Sequence, residues 1–553
     1  MISSLKVFVN MKDYSTRRVG RIGGLSPELL YAALVVMLVP VWGGCAKKDD
    51  DSTAAVEVST AENTSSGELS AKDVAFLNRV GPKVEAFCGD CHAMPRPTSS
   101  PEDEWEMEII QGFDLYRTSG RTDLDVPDEA DVERYFKMQA PKNSGMPVPE
   151  TLNYPVAAPT HVKSGVLRQR VRAAGVTNVN WIDLGFDSKP GHALVYCDIG
   201  TGTVNAYWPN DPEGEVRRLG TMLQPVHTEP CDLNQDGLVD LLVADIGEFN
   251  ANDSDLGQVL WLERSKDDET FRTHVLIDGL SRTSDARAGD LDGDGDIDVL
   301  VAAFGWRNSG RTFMLVNQGL GDDGIPVFET RDIDPRHGPV HVPLVDFDGD
   351  GDLDFVSLIS QEHERVELFR NDGKGHFENE LIWAAPDPAY GSSGIELVDM
   401  DGDGDLDVLY TNGDSFDRGP KPFHSVQWLE NDGPLPMQRH QICLMPGVLN
   451  ATAGDFDGDG DADVVAVALL GSHISKDWVA KGASPIVMLT QQDDGSFSPS
   501  RLPGRMHDHL SVVKGDFNGD QKLDFAIGNF FRPASTEVQA VLGEPELLIW
   551  TSK

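Results

Sequence analysis

From about residue 165 to the C-terminus, short apolar runs alternate with polar turns rich in Gly and Asp, in an order that keeps returning. One apolar strand leads into an acidic turn, as in Pro343-Leu344-Val345, and a second leaves it, as at 298–304. A third carries a large residue, as in Val259-Leu260-Trp261-Leu262, and a fourth follows a further turn, as at 377–382. The acidic turns begin at Asp232, Asp290, Asp346, Asp399, Asp455 and Asp516. A degraded copy at Asp183 keeps the strands but not the acids. Starts 49 to 61 residues apart, with four strands each, predict seven blades of a β-propeller. The last repeat stops on its third strand, 547–553, and residues 166–171 are the candidate to supply the fourth and close the ring.

Upstream the period changes. Residues 73–87 place Val74, Phe76, Leu77, Val80 and Val84 at helical spacing. Residues 102–113 and 128–138 read as two more helices with acidic first turns. The predicted fold class is therefore mainly β: a seven-bladed propeller over 165–553, preceded by a small all-α domain over 71–150. Residues 46–70 carry almost no large apolar side chain and read as a disordered acidic tether. The first 45 residues read as a targeting segment. Lys6, Lys12, Arg17, Arg18 and Arg21 are followed by an apolar run at 29–42 and Gly43-Gly44-Cys45. That run is short against the ~20 residues of a spanning helix. The small residues before Cys45 resemble the lipobox of bacterial lipoproteins, with Trp42 where that family prefers Leu. The resemblance implies lipidation at Cys45; the alternative is an uncleaved anchor helix. Both place the rest of the chain outside the cytoplasm, at a membrane, as a periplasmic or cell-surface protein.

Charge sharpens the reading of the turns. The chain of 553 residues holds 91 Asp and Glu against 46 Lys and Arg, a formal net charge of −45. Such a balance repels a phosphate backbone and argues against a nucleic-acid partner. Of the acids, 26 lie within the six turns, so much of the acidity has the pattern of metal ligands rather than of a solvating tail. Side chains at positions 1, 3 and 5 of a tight turn converge, a glycine at 6 permits the bend, and a carboxylate at 9 completes an oxygen cage suited to calcium. The candidate ligands are Asp232, Asn234, Asp236 and Asp240; Asp290, Asp292, Asp294 and Asp298; Asp346, Asp348, Asp350 and Asp354. In the later repeats they are Asp399, Asp401, Asp403 and Asp407; Asp455, Asp457, Asp459 and Asp463; Asp516, Asn518, Asp520 and Asp524. Up to six calcium ions are expected, the last site weakest because Gln521 replaces the glycine. An EF-hand begins alike but needs Glu at position 12, where this chain has Val243, Val301, Ser357, Tyr410, Ala466 and Ile527. It also needs flanking helices, and it is rejected.

Cys88-Gly89-Asp90-Cys91-His92 is a C-x-x-C-H sequence, the attachment pattern of one covalent haem c. Two thiols a helical turn apart reach two vinyl groups of one porphyrin, and the adjacent imidazole of His92 meets the iron. No second cysteine pair is nearby to complete a zinc site. Met146 is the candidate second axial ligand, with Met107 and Met138 competing. Cys197, Cys231 and Cys443 allow at most one disulfide, with Cys197–Cys231 possible.

The repeats resemble FG-GAP/VCBS repeats, the integrin-α type of calcium-binding blade. With the C-x-x-C-H segment, the chain resembles bacterial exported proteins that join a single-haem domain to such a propeller. The resemblance implies fold and calcium rather than an activity. Three readings follow: an electron-transfer protein whose propeller docks an unknown redox partner or extracellular polymer; an adhesin-like binding module with an accessory haem; and a propeller dehydrogenase that passes electrons to the haem. For the last, His227, His341, His507 and His509 are candidate rim histidines, with exposed loop positions as the alternative.

Overall fold

The computed structural model describes residues 69–142, 152, 154–157, 161–166, 173–211, 214–416, 419–470, 478, 480–502, 508–531 and 544–553. The targeting segment, Cys45, the tether, Met146 and His507 lie outside the described residues. Among the described residues no helix is long and apolar enough to cross a membrane.

Seven antiparallel sheets repeat the predicted blade. Blade 1 is Val176–Asp183, His192–Asp198, Thr203–Tyr207 and Val216–Thr221; blade 2 is Pro225–Cys231, Asp240–Asp245, Gly257–Arg264 and Phe271–Leu280. Blade 3 is Thr283–Gly289, Asp298–Ala303, Arg311–Leu320 and Pro326–Asp334. Blade 4 opens with Pro339–His341 and Leu344–Val345, then Asp354–Ile359, Arg365–Asn371 and Phe377–Ala384. Blade 5 is Ser392–Val398, Asp407–Asn412, Ser425–Glu430 and Gln438–Leu444; blade 6 is Val448–Gly454, Asp463–Ala468, Ile486–Gln491 and Phe497–Arg501.

Blade 7 closes the ring. Asp508–Gly515, Asp524–Phe530 and Leu547–Ser552 take their fourth strand from His161–Val166, which pairs antiparallel with the C-terminal strand from His161↔Ser552 to Val166↔Leu547. The closing strand thus ends where the sequence reading began it, five residues earlier than the expected 166–171. A closed ring removes the open sheet edges.

Except for His192 at the start of blade 1's, the second strand of each blade is buried along its length, as in Asp298–Ala303 and Asp463–Ala468. Its side chains on both faces pack against neighbouring blades, which explains the continuous apolar runs. Trp261 fills the gap between blades 2 and 3 with no exposed surface and donates its indole N–H to Asp240 Oδ2 at 2.9 Å. Trp261→Ala is expected to cost about 3–5 kcal/mol through the cavity it leaves, read as a lowered midpoint in urea unfolding.

The upstream helices are α1 (Ala71–Cys88), α2 (Trp105–Thr118) and α3 (Glu129–Gln139). Ser70 and Asp128 cap α1 and α3 through their side-chain oxygens. Their shared core holds Phe76, Val80, Val84, Phe87, Ile109, Phe113 and Phe136, with Trp105 stacked on Phe136 at 4.2 Å. Val74 is exposed, against expectation, on the side of α1 away from buried Phe76 and Val80, and Asp73 beside it pairs with Arg134 of α3 at 3.2 Å. Helix α2 starts later and ends later than expected. Glu104 N–H closes a turn on Pro101 C=O, and the buried face continues through Tyr116.

Candidate functional site

Helix α1 ends on the first cysteine of the C-x-x-C-H sequence. Burial pushes the Cys88 thiol up to about 12, so it is no reactive thiolate at neutral pH. Cys91 is disulfide-bonded, and bonding a porphyrin at Cys91 requires that bond to be open. His92 Nδ1 lies 2.8 Å from Ala93 C=O. A ring proton donated there leaves the Nε2 lone pair for a ligand.

These three residues face a cavity of about 330 Å³ between the helices and the propeller. Its helical wall is mostly apolar, with Phe87, Trp105, Ile109, Phe113 and Tyr116, but Glu108 and Gln111 of α2 also line it. Its propeller wall is polar and comes from the loops of blades 3 to 5, with Trp306, Arg307, His337, Glu362 and Asp387 among the lining residues. Asp387 fastens the two walls together. Its carboxylate accepts Arg96 N–H at 2.8 Å and the Ser99 hydroxyl, and it is almost fully buried. The connecting segment runs along the propeller as well, where Tyr154 donates to Leu444 C=O at 2.9 Å. A slot with one mostly apolar wall beside two cysteines, and with a histidine nitrogen oriented by a backbone carbonyl, fits a haem in size class and chemistry. Of the competing methionines, Met107 is exposed and Met138 packs on the helical core; neither lines the cavity.

Each acidic turn joins the first and second strands of its blade, and its first aspartate builds the bend. Asp290 accepts the N–H of Gly293 at 2.8 Å and of Gly295 at 3.1 Å. Asp346, Asp399, Asp455 and Asp516 repeat the pattern. Residues 4 and 6 of the turn adopt left-handed backbone, φ +74° and +92° for Gly293 and Gly295, so the turn demands a glycine at position 4 as well as 6. Where the sequence departs, Gln235 (φ +53°) and Gln521 (φ +67°) hold that conformation without glycine.

The ligand atoms of four turns converge to within 4.8 Å: Asp290, Asp292 and Asp294; Asp346, Asp348 and Asp350; Asp399, Asp401 and Asp407; Asp455, Asp457 and Asp463. Asp292 Oδ1 is buried with no hydrogen-bond partner, an orphan that a cation would satisfy. In the Asn-containing turns, Asn234 and Asn518 each accept from the backbone of position 5, Asp236 pairs with Lys266 at 3.3 Å, and Asp520 accepts from Ser552.

The ninth-position acids carry a second job that the sequence did not reveal. Asp298 Oδ2 accepts Leu291 N–H at 3.0 Å within the turn, and its Oδ1 accepts Asn317 N–H at 2.8 Å from the third strand. Asp354, Asp407, Asp463 and Asp524 make the same clasp, and Asp240 a variant of it through Trp261. Burial pushes Asp240 and Asp298 up to about 6 and Asp463 to about 7.

Of the proposed rim histidines, His227, His341 and His509 are strand residues rather than loop residues. His227 and His341 sit on first strands and converge on fully buried Asp285, at 3.3 and 3.8 Å. Burial would raise the Asp285 pKa, but Arg287, His227 and His341 hold it well below the usual range. His509 is buried against Gly528 C=O. Cys197, Cys231 and Cys443 are free thiols, so the possible Cys197–Cys231 bridge is not made. The spacing to the acidic turn pointed to these histidines and passed over His337, Glu362 and His363, of which His337 and Glu362 line the cavity.

The FG-GAP-like repeat family matches residues 232–301 and 306–410, spanning blades 2 to 4 and the first half of blade 5. No curated protein matches the chain. Among solved structures the chain is similar to a virginiamycin B lyase from Staphylococcus aureus, at 10% identity and a TM-score of 0.41, over 71% of this chain and 99% of that one. A likeness so distant carries no argument about activity.

Proposed function

We propose that this chain is an exported, membrane-anchored electron-transfer protein that carries one covalent haem on Cys88, Cys91 and His92, on a propeller stiffened by calcium. The observation that carries the reading is the cavity: a mostly apolar wall and an oriented histidine nitrogen lie beside both cysteines. When bound, the haem supplies a reversible one-electron change. The chain's own part is to exclude water with Phe87, Phe113 and Tyr116, to orient His92 through Ala93, and to bury one wall of the slot against blades 3 to 5. Met146 is the residue that would supply a further ligand to the iron. The six acidic turns take calcium, and Cys45 carries the lipid anchor. The propeller then docks a redox partner or polymer.

A pyridine haemochrome spectrum of protein matured in a cytochrome c-competent periplasm tests this, with iron counted on the same sample. A c-type spectrum and one iron per chain are expected. The FG-GAP-like match favours a second reading, a binding module without redox chemistry, and the absence of covalent haem after competent maturation would leave that reading in its place.

A further inference from the structure

Outside the acidic turns, one cluster of ligand-type side chains stands apart among the described residues. His337 lies between blade 3 and blade 4, two residues before the first strand of blade 4. Glu362 and His363 lie in the next loop of the same blade, between Asp354–Ile359 and Arg365–Asn371. One nitrogen from each imidazole and one Glu362 oxygen lie within 4.8 Å of one another. Within the group, His337 Nε2 and Glu362 Oε2 are 3.0 Å apart, and the two rings have centroids 5.4 Å apart.

The backbone is built to hold these three together. Ser360 N–H donates to Gly338 C=O at 2.8 Å, tying the two loops beside the cluster. Gln361 (φ +58°) and Glu364 (φ +47°) bracket Glu362-His363 in left-handed conformation without being glycine. Such backbone is costly for residues with a Cβ and persists only where the surroundings enforce it. The enforcement is visible. The buried Glu364 carboxylate accepts Gly391 N–H at 2.9 Å and Ser392 N–H at 2.8 Å, anchoring the loop to blade 5. Nearby Arg336 is engaged by Asp334 and Glu367.

We propose that His337, Glu362 and His363 bind one divalent transition-metal ion. Two imidazoles and one carboxylate suit zinc, copper(II) or iron(II), whereas calcium wants six to eight oxygens. Three protein ligands leave a coordination position free, the arrangement of catalytic rather than structural zinc sites. His337 and Glu362 line the cavity that Cys88, Cys91 and His92 face, so the open position looks into that shared space. The site is independent of haem attachment.

The test uses the full chain in detergent, stripped of metals, returned to calcium, and carrying Cys88→Ala and Cys91→Ala so that no haem contributes iron or colour. Zinc titration with metal counting is expected to give one tight equivalent that Glu362→Gln and His363→Ala each weaken more than about 100-fold, beyond the 10–100-fold cost of losing a mere supporting contact. Their urea midpoints and circular dichroism establish that both variants are folded. Cobalt(II) in the protein with an intact triad reads the donors without any substitution in it. Intense visible bands of a four- or five-coordinate ion support the site, and weak bands of an all-oxygen octahedral ion overturn it. Equal zinc binding in the His363→Ala protein would likewise overturn it, and leave His337–Glu362 as an ion pair only.

Discussion

Stripping calcium with a chelator is expected to lower the unfolding temperature sharply, and returning calcium to restore it. The cause is electrostatic. In four turns three carboxylates meet within 4.8 Å. Partial burial and the neighbouring fifth-position aspartate push Asp292 and Asp457 above their ordinary pKa. A divalent ion removes that repulsion and satisfies Asp292 Oδ1. Each site filled at 100 times its dissociation constant adds about 2.7 kcal/mol. Four sites that unfold together therefore contribute on the order of 10 kcal/mol, comparable to the whole stability of an ordinary domain.

Two substitutions separate metal from scaffold. Asp292→Ala should lose stability only when calcium is present, since that carboxylate serves the cage. Asp298→Ala should lose it with or without calcium, because the N–H groups of Leu291 and Asn317 are left unpaired at about 1–3 kcal/mol each. Calorimetry in calcium and in chelator reads both. An unfolding temperature indifferent to calcium would remove the ion from the account of the propeller.

Cys88→Ala with Cys91→Ala is expected to abolish covalent haem entirely, an all-or-none change in the pyridine haemochrome of the denatured chain. His92→Ala should leave the attachment but change the visible spectrum of the native protein, because the nitrogen oriented by Ala93 is gone. The propeller should survive all three changes, since the blades have their own buried strands and their own closure. If the double variant still carries covalent haem, the assignment to this C-x-x-C-H segment fails.

The number of blades, their four strands and the turns between them could be read from the chain alone, because each blade repeats one local pattern: an acidic turn, then a strand apolar on both faces. Asp298–Ala303 needs no long-range knowledge to be recognised as buried strand. The six turns were legible for the same reason, since their first, third and fifth side chains are placed by the bend itself. Ring closure was legible as a missing fourth strand, but its location at His161–Val166 was not. Pairing with Leu547–Ser552 is a contact between the ends of the domain, and nothing local distinguishes residue 161 from residue 171. Only the folded chain turned the ninth-position aspartates into clasps, because Asn317 or Asn371 arrives from another strand. It also brought His227 and His341 onto Asp285 and gathered His337, Glu362 and His363 from two loops. A repeat fixes what each unit does within itself. What lies between units, including the cavity that faces Cys88 and His92, is decided by how blades and helices pack.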